Sequence, residues 1–397
     1  MAFFFSGLPV IMRKGGSSLE DIGYLGLMGI PYALKFLWAP YIDRGAGNAN
    51  HYKRIVFIMT ICYSLVAAFA SQMDPQHNLV NLVLVLSLGL LFLATQDIAV
   101  DAIATRILKP EERGMGNGIQ AAGAFAGYFV GGGFMLIFFD KIGGWSNAVL
   151  ILSGLLLLSL IPLYFFREPA GPKKSKANLM DVLTFFKRKS ILPALAIAVL
   201  CGVPLEAAYH KMRPLLVDAN FSTEQIGWYI SIVGMAAGLL VSIVFGAIMK
   251  RIGVRRGFLL SLAFAFLAFP ALLLPAMGYL TPPYIWVAVI LGGACSGAMH
   301  ATTYALYMNN GREGKEGSDF TVQSALAFLA IRMPAGLFGR IADQFGYTGL
   351  FASAAVIHLV ILVFAFVVVK NRKSDQKNLE LLRDEVGELA ESEKLTL

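Results

Sequence analysis

Residues 17–24 read SSLEDIGY, and residues 221–228 read FSTEQIGW. Ser18, Glu20, Ile22 and Gly23 return as Ser222, Glu224, Ile226 and Gly227, an offset of 204 residues. Later in each half the spacing is 203. Gly114 returns as Gly317, Gln120 as Gln323, Gly133 as Gly336, Asp140 as Asp343 and Gly143 as Gly346. Similarity at one long offset means that one half of the chain is a diverged copy of the other.

What is repeated is a set of apolar stretches. Of the 397 residues 57% are apolar and 15% charged, whereas a soluble domain is about half apolar and about a quarter charged. Mean hydropathy is +0.67. A helix crosses the hydrocarbon core with about 20 apolar residues. Charges, Gly and Pro cut the sequence into eleven such spans between Glu20 and Lys370, plus a half-length one, MAFFFSGLPVIM, from Met1 to Met12. The seventh span begins near Ile191, so the 204 offset would start its mate before Met1, and the first helix is expected to be truncated. Six spans per copy is an even number, which makes the copies parallel in the membrane. Two parallel six-helix repeats around a midplane site are the major facilitator architecture of secondary transporters. The expected fold class is therefore all-α and polytopic. It divides into an N-terminal bundle 1–167, a central loop 168–190, a C-terminal bundle 191–370 and a tail 371–397.

Charge orients this arrangement. Alternate connections carry nineteen Lys and Arg, seven of them between Arg167 and Lys189, whereas the opposite connections carry only Arg13, Lys14 and Lys141. Positive charge stays cytoplasmic, which places the central loop and tail inside. The net charge of +8 falls between apolar runs rather than in one patch, so no nucleic-acid partner is expected. Cys62, Cys201 and Cys295 each lie within a span and lack disulfide or metal spacing. No metal, cofactor or obligate protein partner is expected, only a small solute, protons and the bilayer.

Charge buried at membrane depth is costly and is kept only where it is paired or used. The first and fourth helices of each half line the cavity of this architecture, so their charges come first. Asp97 and Asp101 sit one turn apart on the fourth span. Two carboxylates so placed cannot both ionise cheaply, as proton coupling requires; the alternative is a static ion pair with Lys35 or Arg106. Glu206, His210 and Arg213 form a stripe on the seventh span, with Lys211 beside it, and His300, Tyr304 and Tyr307 form another on the tenth. The expected protonation sites are Asp97, Asp101 and Glu206. The expected solute contacts are His210, Lys211, Arg213, His300, Tyr304 and Tyr307, and the two cations suit an anionic solute. Gly123, Gly127, Gly131, Gly132 and Gly133 form a small-residue ladder that reads as helix packing.

GAIMKRIGVRRG, residues 246–257, resembles the facilitator loop signature, with Lys250 in place of its acid. APYIDRG, residues 39–45, keeps Asp43 and Arg44. Such clusters bond helix ends in one state and release them in another. Asp43, Arg44, Lys250, Arg251, Arg255 and Arg256 are the gating candidates, the alternative being plain positive-inside anchors.

KFLWAP at 35–40, ATQDIAVDA at 94–102 and PEERGMGNG at 110–118 together resemble the AmpG permease and acetyl-CoA transporter branch of the major facilitators. The similarity is strongest over residues 8–145. GNGIQ at 116–120 and the chain length look more like the RhtX/FptX siderophore permeases. This resemblance implies a non-enzymatic bacterial inner-membrane importer and puts Lys35 in the helix-two signature. The expected cargo is a ferric siderophore, with a muropeptide as the alternative. A polytopic acyltransferase-type enzyme is the reading from another class; no motif here joins a nucleophile to a base.

Overall fold

Backbone polar groups in lipid must be satisfied within the chain, and the helix does this segment by segment. The computed structural model describes residues 1–14, 25–75, 77–139, 141–171, 179–188, 192–312, 314–332 and 334–395, and among them it contains helices and no strand. The first repeat segment, 17–24, lies outside the described residues.

Among the described residues the helices that build the bundle are, in order, α1 (Leu8–Lys14), α2 (Leu27–Leu37), α3 (His51–Ala70), α4 (Leu79–Ile107), α5 (Arg113–Ile137), α6 (Gly144–Phe165), α7 (Leu195–Asp218), α8 (Glu224–Ile252), α9 (Val254–Ala276), α10 (Pro282–Asn310), α11 (Glu316–Arg332) and α12 (Leu337–Val367). Among the described residues nine of these are long and apolar enough to cross a membrane, fewer than the eleven expected from sequence. The difference lies in α2 and α11. Pro31 and Pro40 each restart a helical turn, so α2 is made of short pieces and a further short helix, Ala39–Asp43, follows it. Glu316 and Asp319 make the first turn of α11 polar.

The two largest apolar cores among the described residues divide between the halves. One draws Phe3, Leu8, Tyr63, Leu86 and Val149 from α1–α6 and the turn before α1. The other draws Leu205, Met212, Leu262, Phe269 and Phe351 from α7–α10 and α12. Outward-facing Leu65, Phe69, Val80, Leu240 and Val360 are largely exposed, an apolar exterior suited to lipid. Burial ranks the helices from rim to centre: 22% of the apolar window of α6 is buried and 72% of that of α10.

Between the cores α5 packs on α8, and α2 and α4 pack on α11. Glycine permits these approaches. A Cβ on Gly118 of α5 would meet the Ser242 carbonyl oxygen of α8 at 2.7 Å, and within the second half one on Gly297 of α10 would meet that of Gly238 of α8 at 2.1 Å. Only part of the α5 ladder works this way. Gly131 and Gly133 touch Phe3 and Ser231, whereas Gly123 and Gly127 have open space before them, beside a cavity of about 530 Å³ also lined by Tyr63, Leu93, Val149 and Leu156.

Toward the end carrying the basic loops, α2 closes in a 3-10 turn at Lys35–Leu37. At the opposite end the helices loosen into wide π turns at Phe129–Phe134 and Gly227–Gly234 and a tight 3-10 turn at Leu25–Gly29.

Candidate substrate cavity and gate

A buried ammonium needs a counter-charge, and Lys35 has one. It is 3% exposed, and its Nζ donates to Asp97 Oδ2 at 2.5 Å; Asp97 is 35% exposed. The ring of Tyr32 lies 5.4 Å from the same nitrogen. One turn along α4, Asp101 is buried and accepts from Gln120 Nε2 of α5 at 2.6 Å. The two carboxylates share a helix face but take different partners. One cation is thus set among two acids. Arg106, the other cation considered for them, pairs instead with Glu168 at 3.1 Å.

The second half supplies a separate cluster. Glu206 on α7 accepts from Ser296 Oγ of α10 at 3.0 Å and faces His210 Nε2 at 3.4 Å. His210 is 66% exposed, an imidazole open to solvent on a membrane-crossing helix. Arg213 donates to Ser231 Oγ at 3.1 Å, and Lys211 is half-buried beside the stripe. His300 lies against Phe125 of α5, with ring centres 5.7 Å apart, and against Tyr304 at 6.0 Å. Tyr307 departs from the expected cavity lining. It is wholly buried and donates to the Ala198 carbonyl at 3.1 Å, because its place on α10 points into the bundle.

At the basic end Asp43, six residues beyond α2 and outside the spans, ties the two halves together. It accepts from Tyr52 Oη at 2.6 Å, and from Ser318 N at 2.8 Å and Oγ at 2.5 Å. Ser318 lies in the first turn of α11, where unpaired N–H groups favour an anion. Burial outweighs these donors and pushes the Asp43 carboxyl up to about 6. Behind it Arg106 stacks on the Tyr52 ring at 4.7 Å, and Glu168 accepts from Lys53 N at 2.8 Å.

Arg44 lies over the Tyr41 ring at 4.4 Å. Lys250, Arg251, Arg255 and Arg256 are exposed, and none forms an ion pair among the described residues.

Sequence reading missed Glu168, Tyr52 and Ser318. Glu168 follows the sixth span directly and reads as the start of a loop. Tyr52 and Ser318 carry no charge, so nothing in composition marks them.

The Major Facilitator Superfamily family model matches residues 1–334 and 212–394. The anhydromuropeptide permease of Escherichia coli K12 is 26% identical over 386 residues, covering 91% of this chain and 77% of that protein. A putative transporter AmpG 3 of Rickettsia prowazekii is 24% identical over 318 residues, 74% of each chain. Among solved structures, the human organic anion transporter MFSD10 superposes with a TM-score of 0.68 at 14% identity, covering 91% of this chain and 89% of that one. A bacterial homologue of the iron transporter ferroportin, in an outward-facing state, superposes at 0.63 and 15% identity, covering 93% and 97%. These two likenesses concern the fold alone.

Proposed function

The chain belongs to the Major Facilitator Superfamily, and from that premise we propose that it is a proton-coupled importer of an anhydromuropeptide-type solute in a bacterial inner membrane. The observation that carries the cargo is the 26% identity to an anhydromuropeptide permease across 91% of this chain. The siderophore reading rested on GNGIQ and chain length; the relatives support the alternative more than that first reading.

Alternating access needs one end shut while the other admits solute. The Asp43 clasp on α11 and the glycine contact of α5 with α8 support a closed basic end, which the charge asymmetry assigns to the cytoplasm. Solute then enters from the opposite side. Arg213, Lys211 and His210 offer donors to the carboxylates of a peptide stem, while Tyr304 and Phe125 offer faces to sugar rings.

Proton coupling falls to the first cluster. Lys35 balances one of its two acids, and the other is neutral only when it holds a proton. Asp97 already has the ammonium, so Asp101 is assigned the proton. Glu206 with His210 forms a second site where solute and proton compete for the same partners.

The test is uptake of labelled anhydromuropeptide beside labelled ferric siderophores, in cells lacking their own inner-membrane importers, with and without a protonophore. Muropeptide uptake that collapses with the protonophore is expected. Siderophore uptake alone would overturn the cargo, and uptake indifferent to the protonophore would overturn the coupling.

A further inference from the structure

A helix C-terminus leaves four carbonyls without helical partners and carries partial negative charge. At the end of α10 three of these carbonyls take side-chain donors. Tyr307 O accepts from Gln323 Nε2 at 3.0 Å, and Asn310 O from Arg188 Nη1 at 2.8 Å. Met308 O accepts from Arg113 Nη1 at 3.3 Å, and the same nitrogen reaches Asn309 Oδ1 at 2.9 Å. Gln323 comes from the same half of the chain and Arg188 from the linker. Arg113 comes from α5, in the other half. Asn117, one turn on, reaches the Met308 sulfur at 3.0 Å.

We propose that Arg113 is a second gating latch, gripping the C-terminus of α10 when the basic end is closed and releasing it when that end opens. This rests on the alternating-access reading but is independent of the cargo. Asp43 and Arg113 are then complementary clasps of opposite sign: a carboxylate on the N-terminus of α11 and a guanidinium on the C-terminus of α10.

Two features suit Arg113 to a contact that must break. Arg113 Nε and Asn117 Oδ1 are buried here without hydrogen-bond partners, so the closed contact is incompletely satisfied, which offsets part of its gain and lowers the cost of release. The same helix pair also meets at the cavity, where Phe125 of α5 lies against His300 of α10. Phe125 lies twelve residues beyond Arg113, about 18 Å along a helix. A solute displacing His300 therefore moves the rod whose far end Arg113 holds. The 203 offset places Glu316 opposite Arg113 in the other half, so this clasp has no copy there and the gate is asymmetric.

The experiment uses Met249→Cys, a buried position between α5 and α8, as a reporter of basic-end opening. The full chain in inside-out membrane vesicles is labelled with a membrane-impermeant maleimide, and the parent carrying only its native cysteines gives the background. Arg113→Ala is expected to speed labelling at least about tenfold, as loss of a charged hydrogen bond implies, with Arg113→Lys in between. Lys109→Ala, an exposed neighbouring cation, is expected to change nothing. Asn309→Ala removes one acceptor of Arg113, so it is expected to act in the same direction and to be non-additive with Arg113→Ala. If Arg113→Ala does not reach the membrane, Asn309→Ala alone decides. An unchanged rate in the properly inserted variants, or strict additivity, overturns the latch. Labelling needs no solute, so that failure is separate from any failure of the uptake assay.

Discussion

At the scale of single residues, the cleanest test of coupling is Asp101→Asn. Its Gln120 partner can still bond an amide, so the variant is expected to fold and melt like the parent while solute accumulation falls to the equilibrium level. Accumulation by counterflow against net uptake checks this. Asp97→Asn is a poorer probe because it strips Lys35 of its counter-charge, and a buried unpaired charge costs about 3–5 kcal/mol; lowered melting is expected there together with lost uptake.

Asp43 predicts a pH dependence whose sign follows from linkage. The closed form holds a proton on Asp43 up to about 6, whereas a solvated carboxyl releases it near ~3.9. Closing therefore takes up a proton within that window. The gain to closure is complete below the lower value and is lost as pH rises through the upper one. Acidifying the basic side from pH 7 to 5 is expected to slow Met249→Cys labelling beyond the loss of thiolate measured on an exposed cysteine, and Asp43→Asn is expected to remove that excess.

At the scale of helices, the glycines divide into two kinds that one substitution tells apart. Gly297→Ala drives a Cβ into the Gly238 backbone and is expected to cost about 1–3 kcal/mol, read as a lower melting temperature in detergent. Gly123→Ala meets nothing and is expected to be neutral or stabilising by up to ~1 kcal/mol, since alanine favours helix.

The same contrast shows what could be read from sequence. Span length, charge asymmetry and the offset repeat state the fold outright, because lipid leaves the backbone few choices. The Asp97/Asp101 spacing was legible, and so was Lys35 as one candidate partner. Which acid takes the lysine was not, since that depends on how α2 lies across α4. Tyr307 failed for a related reason: helical spacing gives a stripe but not the rotation of that stripe toward cavity or bundle. Arg113 stood in the PEERG segment all along, yet its partner lies 195 residues away, beyond any local pattern.

At the scale of the whole molecule, the Asp43–Ser318 contact bridges the halves at the basic end, so on the alternating-access proposal fixing it should fix the cycle. Asp43→Cys with Ser318→Cys, in a background without Cys62, Cys201 and Cys295, is expected to form a disulfide that abolishes uptake; reduction is expected to restore activity to the level of the unlinked double variant. Unimpaired uptake in the oxidised form would mean that the basic end need not open there.

The wide turns at Phe129–Phe134 and Gly227–Gly234 face each other, with Gly133 against Ser231 and Ile232, at the end away from the clasps. A π turn is a rare interruption of the α-helix and recurs at functional sites. On the alternating-access proposal the molecule is then a check valve, with these turns as its lip and the Asp43 contact as its seat. On the proton coupling proposed above, the lip can flutter without cargo and waste nothing, while the seat keeps an idle protein from leaking the gradient.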